Sequence, residues 1–232
     1  MIDYKDKVVI LTGGTRGIGK AIKEELISLG AIVKSYGSKD VDLTKRREIN
    51  DFCEELRSMQ KIDVCINNAG IIFSSEIRNI HNDRDKYEKL LNVNLIAPME
   101  IGSACSHAMS KNNYGRIVNI SSIAATQVRD GRTAYSVSKH GLNGFTKNLA
   151  VDLAKFGILV NSVSPGFTMT EMTESMLPAN EMNSLIKQVP VGRFGKVSDV
   201  SSAVMYLASS YNSFITGQNL IVDGGYTIAV TV

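Results

Sequence analysis

The sequence predicts an α/β chain folded as a doubly wound parallel sheet in three layers, helices on both faces, and two observations carry that expectation. Short β-rich apolar runs alternate with runs of helical period from one end to the other, and most of the β-rich runs are continuously apolar rather than alternating. Continuous runs imply strands covered on both faces, which is the condition of a parallel sheet wrapped by its crossover helices.

The elements follow in order. Lys7 to Leu11 reads as the first strand. Ile18, Ile22, Leu26 and Leu29 then recur on one face of a helix, and Gly30 is placed to stop it. Ala31 to Val33 is the second strand, and Ile49, Phe52, Cys53 and Leu56 mark a second helix face. Ile62 to Ile66, Arg116 to Ile120, Ile158 to Val163 and Asn219 to Val222 are the remaining strands. The stretch from Thr170 to Pro190 is the least sheet-like and reads as a mobile flap over a site, spanning about residues 168–192. No linker or repeat divides the chain, so residues 1–232 are expected to form one domain.

Composition removes several classes. The net charge of +3 comes from interspersed charges, and Lys45-Arg46-Arg47 reads as a solvated helix end, so no nucleic-acid surface is expected. Cys53, Cys65 and Cys105 are odd in number and sit in apolar segments, which predicts reduced core thiols rather than disulfides or a zinc site, and hence a cytoplasmic setting. No run reaches the roughly 18 apolar residues needed to cross a bilayer, so no membrane partner is expected.

Four stretches carry chemistry. The first strand runs directly into Thr12-Gly13-Gly14-Thr15-Arg16-Gly17-Ile18-Gly19 and then a helix, whose free amides offer an anion site for a pyrophosphate. Gly14 through Lys20 almost spells a triphosphate loop, but Ala21 stands where a hydroxyl should hold magnesium, which argues against an NTPase. Asn67-Asn68-Ala69-Gly70 ends a buried strand with two amides, serving either backbone groups or a ligand. Ser121-Ser122 ends another strand at the same sheet margin. Tyr135 and Lys139 are spaced to stack on one helix face. A cation about 4 Å from a phenol contributes roughly 4 kcal/mol at an effective dielectric near 20, enough to bring the phenol toward neutrality, where general acid–base chemistry on an alcohol or carbonyl works best.

Together these stretches resemble the short-chain dehydrogenase/reductase family along nearly the whole chain. The closing stretches Pro165-Gly166, Arg193-Phe194-Gly195, Thr216-Gly217-Gln218 and Asp223-Gly224-Gly225 resemble its classical branch, which includes 3-oxoacyl carrier-protein reductases. The resemblance implies a Rossmann-like fold and hydride transfer between a nicotinamide dinucleotide and a carbonyl or secondary alcohol. A 3-oxoacyl or similar keto substrate is expected, with a sugar or nucleotide-linked sugar as the alternative. A non-catalytic dinucleotide-binding regulator is the alternative of another class, and an epimerase would need a larger substrate domain.

The resemblance also implies roles. Tyr135 would be the acid or base, Lys139 its activator and the holder of the nicotinamide ribose, Ser122 (Ser121 being the alternative) the carbonyl's orienting group, and Asn94 the holder of a relay water. Cofactor contacts would come from Gly13, Thr15, Arg16, Gly17, Ile18 and Gly19, from Asn68, Ala69 and Gly70, and from Pro165, Gly166, Thr168 and Thr170. Ser38 and Asp42 would lie at the adenosine end. A homotetramer is implied, with Tyr226 to Val232 at a subunit contact.

Charge bears on the choice of dinucleotide. No carboxylate precedes Asp40 in Ser35-Tyr36-Gly37-Ser38-Lys39, and Arg16 stands in the loop, which favours NADP over NAD. One departure from the family pattern is visible: Ser38 passes almost directly to Asp42, so a third strand is expected to be short and its preceding helix lost. Finally, Arg129-Asp130-Gly131-Arg132 lies between Ser122 and Tyr135, where two guanidiniums could clamp an anion or simply face solvent.

Overall fold

The computed structural model describes residues 2–176 and 178–229. Its chain order is β1 (Val8–Thr12), α1 (Gly17–Ser28), β2 (Ile32–Tyr36), α2 (Arg46–Ser58), β3 (Val64–Asn67), α3 (Arg84–Leu91), α4 (Ala97–Lys111), β4 (Gly115–Ile120), α5 (Thr133–Leu153), β5 (Ile158–Pro165), α6 (Glu171–Met176), α7 (Ala179–Ile186), α8 (Val197–Ala208) and β6 (Asn219–Val222). The strands form one parallel sheet in the order β2-β1-β3-β4-β5-β6. The expected α/β architecture is what the chain adopts.

Alternation along the buried strands divides the core in two. Ile10, Cys65, Ile117 and Val160 face α2, α4 and α5, meeting Phe52, Leu56, Ile101 and Ala150. Val9, Leu11, Val64, Ile66 and Val118 face α1 and α8, meeting Ile22, Leu26, Val204 and Leu207. Each such side chain withdrawn from water contributes about 1.5–3 kcal/mol, so both helix layers are held on by the sheet. The face expected for α2 is buried, and that of α1 is buried at Ile22 and Leu26 and partly buried at Ile18 and Leu29. Gly30 ends α1 with φ +86, a left-handed conformation costly for other residues. The free thiols of Cys53, Cys65 and Cys105 are all buried in the core, and burial pushes the Cys53 thiol up to about 11, so it stays protonated and inert.

Two expectations are corrected. Among the described residues there is no third strand between β2 and α2; residues 37–45 form turns. A parallel strand needs a crossover of about a dozen residues, and that segment is too short to hold both crossover and strand. The sheet therefore ends at β2, which is not covered on both faces: Ile32 is 54% exposed and Lys34 is exposed beside it. Among the described residues no helix is long and apolar enough to cross a membrane, and no cluster of three or more His, Cys, Asp and Glu could hold a metal ion.

All six strands point their carboxyl ends the same way. Because α1 carries the chain from β1 to β2 while β3 lies on the other side of β1, the connections part above β1 and leave a crevice there.

Candidate active site

The floor of that crevice is the turn from β1 into α1. Gly13 has φ +71, and a Cβ there would lie 2.9 Å from both Ala69 Cα and Asn68 Nδ2. Gly17 has φ +52, and no side chain caps the start of α1. The Gly17–Gly19 backbone lines the cavity with the uncapped amides of a helix start, which suits a pyrophosphate. Asn68 fastens this cradle: its Nδ2 donates to Thr12 O at 3.1 Å and to Gly13 O at 2.9 Å. Thr12 Oγ1 in turn accepts from the amides of Asn68 and Ala69, each at 3.1 Å.

β4 delivers the serines. Ser121 turns inward and donates to Lys139 O at 3.4 Å, whereas Ser122 accepts from Ala124 N at 3.1 Å and faces the same cavity as Tyr135, near enough to act on its phenol. Lys139, one turn further along α5, is buried, and its Nζ donates to Ile120 O at 2.8 Å. The same ammonium stands over the Tyr135 ring, 5.7 Å from its centroid. Burial pushes Lys139 down to about 8, still above neutral pH. Burial also raises the Tyr135 phenol, against the bond from Ser122 and the charge of Arg132.

Asn94 lies in a π-helical turn, Asn92–Ile96, between α3 and α4. Its Nδ2 donates to Ile71 O at 2.8 Å and to Ser138 Oγ at 3.3 Å, and its Oδ1 accepts from Ile71 N at 2.8 Å. A Cβ placed on Gly70 would be 3.5 Å from Asn94 Oδ1 and 3.8 Å from Lys139 Nζ, so both groups border Gly70.

The roof follows β5. Phe167 stacks on Phe194 at 5.4 Å and meets the Tyr226 ring edge-on at 5.0 Å, and Leu185, Val189 and Phe194 complete a small apolar cluster under α7. Thr168 bridges to Gly195 and donates to Gly166 O at 3.1 Å. Thr170 accepts from Thr173 N at 3.2 Å, and its methyl lies 3.4 Å from where a Gly17 Cβ would be, so this segment rests on the glycine turn. Arg129 bridges to Glu181 of α7 at 2.9 Å, while Asp130 accepts from Gly131 N at 2.9 Å instead of pairing with either arginine. At the far end, Asp42 Oδ1 is taken by Thr44 N at 3.0 Å and Thr44 Oγ1 at 2.7 Å, bonds that hold its carboxyl below the usual range. Asp40 folds back to accept from Gly37 N at 2.7 Å.

One cavity of about 530 Å³ joins these parts, from Ser38 and Asp42 past the glycine turn to Ser122, Tyr135 and Lys139 under Phe167 and Tyr226. The family model described as Enoyl-(Acyl carrier protein) reductase matches residues 8–227. The chain belongs to the short-chain dehydrogenase/reductase family. It is 34% identical over 243 residues to the 3-oxoacyl-(acyl-carrier-protein) reductase FabG of Salmonella typhimurium strain LT2, covering 97% of this chain and 98% of that one. The FabG of Aquifex aeolicus strain VF5 is 36% identical over 247 residues, with coverage of 97% and 98%. The crystal structure of a gluconate 5-dehydrogenase from Burkholderia cenocepacia J2315, in complex with NADP and tartrate, superposes with a TM-score of 0.89 at 26% identity, covering 98% of each chain. This short-chain dehydrogenase/reductase is therefore an NAD(P)-dependent oxidoreductase acting on CH–OH and keto groups.

In short-chain dehydrogenase/reductase terms, every residue expected at the site lines the cavity except Asn94, which lies behind it. Both amide protons of Asn94 are spent, so only Oδ1 is left to accept from a water. The electrostatic expectation for Tyr135 is corrected. Burial raises the phenol against the charge of Arg132, and Lys139 holds its ammonium over the ring and bonded to Ile120 O. Phe167 and Tyr226 were given no place at the site by the sequence; Phe167 was visible after Pro165-Gly166, but its partners Phe194 and Tyr226 are joined to it only by the fold. Of the C-terminal stretch 226–232, residues 230–232 lie outside the described residues.

Proposed function

We propose that this chain reduces the 3-oxo group of an acyl compound, or of a similar keto substrate, at the expense of NADPH. The observation that carries the reading is the convergence of Ser122, Tyr135 and a buried Lys139 in one cavity floored by the glycine turn. The names of the FabG relatives support the 3-oxoacyl substrate.

When bound, the dinucleotide supplies a hydride to the carbonyl carbon. The chain manages the rest. Ser122 donates to the carbonyl oxygen and fixes its position, and Tyr135 gives that oxygen its proton as negative charge develops. Burial keeps the Tyr135 phenol protonated at neutral pH, which suits reduction better than oxidation. Lys139 donates to the nicotinamide ribose with the protons that Ile120 leaves free, and the protein side of the relay ends at Asn94 Oδ1. Phe167 and Tyr226, packed against Leu185 and Val189 of the flap, cover the substrate end of the cavity and limit the access of water.

NADP is the preferred dinucleotide in this reading. Arg16 is exposed and lines the cavity with Ser38, where a 2′-phosphate would lie, exposed Lys39 follows Ser38 in the chain, and the Asp40 carboxylate is partly spent on Gly37 N. Arg16→Ala is expected to raise KM for NADPH about tenfold or more and KM for NADH less than about threefold, since one charge-assisted phosphate contact is removed; initial rates with both cofactors check it. Residues 1–232 act as one dinucleotide-binding and catalytic domain, in the cytoplasm and as a homotetramer, without nucleic-acid or membrane partners.

A second reading, a dehydrogenase of sugars or sugar acids, is favoured by the gluconate 5-dehydrogenase structure. Absorbance at 340 nm with 3-oxoacyl thioesters, keto acids, keto sugars and simple ketones against NADPH and NADH separates the two. Oxidation of NADPH by 3-oxoacyl compounds is the expected result. Turnover of keto sugars alone establishes the second reading, and dinucleotide binding without turnover of any keto compound establishes a regulatory protein.

A further inference from the structure

Three arginines line the cavity, and they are not alike. Arg16 stands at the dinucleotide mouth. Arg129 is committed: its Nη2 donates to Glu181 at 2.9 Å and its guanidinium packs 5.6 Å from the Phe167 ring centroid. Arg132 is not committed. Its Nη1 is buried and, among the described residues, meets no hydrogen-bond acceptor. The carboxylates nearest in sequence and space do not serve it, since Asp130 turns back to Gly131 N and Glu181 is bridged to Arg129.

A buried cationic donor without an acceptor lowers stability, and native chains keep such groups mainly where a ligand completes them. Arg132 also stands at the start of α5, and its charge reaches the Tyr135 phenol. Spaced three residues before Tyr135, it overlooks the same end of the cavity. An anion on Arg132 would therefore sit close to the oxygen that Tyr135 protonates.

Resting on the carbonyl-reductase reading of this cavity, we propose that Arg132 binds a carboxylate of the substrate within a few bonds of the reacting carbonyl. The substrate class is thereby short keto acids and their hydroxy-acid products. A thioester bears no charge at that place, so the proposal narrows the 3-oxoacyl reading to the free acid. The planar guanidinium suits a carboxylate through two parallel hydrogen bonds, which a lysine would not reproduce. Neutralising Arg132 with a bound carboxylate also removes the charge that pulls the phenol down, so the occupied site keeps Tyr135 protonated for the reductive step.

The test has a binding arm and a kinetic arm. Malonate, a dicarboxylate with no keto group, is titrated calorimetrically into the NADP⁺-loaded protein. Acids with a 2-oxo, 3-oxo or 4-oxo group are then assayed with NADPH against their methyl esters. Malonate is expected to bind, Arg132→Gln to weaken it about thirtyfold or more, and Arg132→Lys to weaken it by about three- to tenfold, as befits loss of the charge or of only the paired geometry. At least one keto acid is expected to exceed its ester in kcat/KM, and Arg132→Gln should collapse that ratio by a similar factor.

The proposal is overturned if wild type binds no malonate, if Arg132→Gln binds it within about threefold of wild type, or if every ester matches or exceeds its acid in wild type. Reduction of keto compounds with no dependence on Arg132 sinks the anion site alone. Arg132-dependent malonate binding without reduction of any keto compound sinks the reductase reading alone.

Discussion

Replacing Tyr135 with phenylalanine is expected to lower kcat for keto reduction about a thousandfold or more, while dinucleotide affinity changes by less than about threefold. The variant removes one hydroxyl from the cavity wall that Ser122 and Lys139 share, and it leaves the ring that fills the cluster with Tyr87, Leu90 and Ala134. Steady-state rates at 340 nm and a fluorescence titration with NADPH measure the two effects separately. A variant within about tenfold of wild-type kcat would remove Tyr135 from the chemistry. The pH profile gives a second sign: because burial raises the phenol, reduction should run level through neutral pH and decline on the alkaline side as Tyr135 loses its proton, with oxidation rising in the same range.

Lys139→Met should abolish turnover to a similar extent and at the same time make the cofactor-free protein more stable. Burial pushes the Lys139 ammonium from an ordinary 10.5 down to about 8, so below about pH 8 the folded chain bears the whole cost of an enclosed charge. That difference corresponds to roughly 3 kcal/mol. Methionine keeps the length and removes the charge, but it leaves Ile120 O without its donor, which costs about 1 kcal/mol, so a net gain of about 1–2 kcal/mol is expected at pH 7. The sign with pH is definite. Between about 8 and 10.5 the unfolded lysine still holds a proton that the folded one has lost, so wild-type stability from this group rises with pH. The variant should lack that rise. Urea unfolding at neutral and alkaline pH measures it; a variant less stable than wild type at pH 7 would show that the ammonium is solvated where the fold encloses it.

Much of the fold was legible because its signals are local. The spacing of Ile18, Ile22 and Leu26 with Gly30 behind them specifies α1 and its end, and the apolar runs of β1, β3, β4 and β5 specify a sheet covered on both sides. The glycine turn and the Tyr135–Lys139 spacing are likewise local patterns, and both line the cavity. What escaped depends on distant partners. Asn68 clamps Thr12 and Gly13 across more than fifty residues, and no property of Asn67-Asn68 by itself distinguishes that clamp from a ligand contact. The direction of the Lys139 ammonium is set by Ile120 O on β4, and the burial that raises the Tyr135 phenol comes from the packed site, neither of which helix spacing shows. The isolation of Arg132 follows from Glu181 of α7 reaching Arg129 instead. At β2 a three-residue apolar run looked like a covered strand, although nothing local reveals whether a neighbour exists on its far side.

With the sheet closing at β2, one row of backbone donors and acceptors has no strand alongside it, a ready template for a stray chain to dock and extend the sheet. Ile32 sits there largely bare, and Lys34, two residues on and pointing the same way, sets a charge in the path of any second strand. A leucine at position 34 would give that margin a greasy, uncharged stripe, turning a solvated border into a nucleus for self-association.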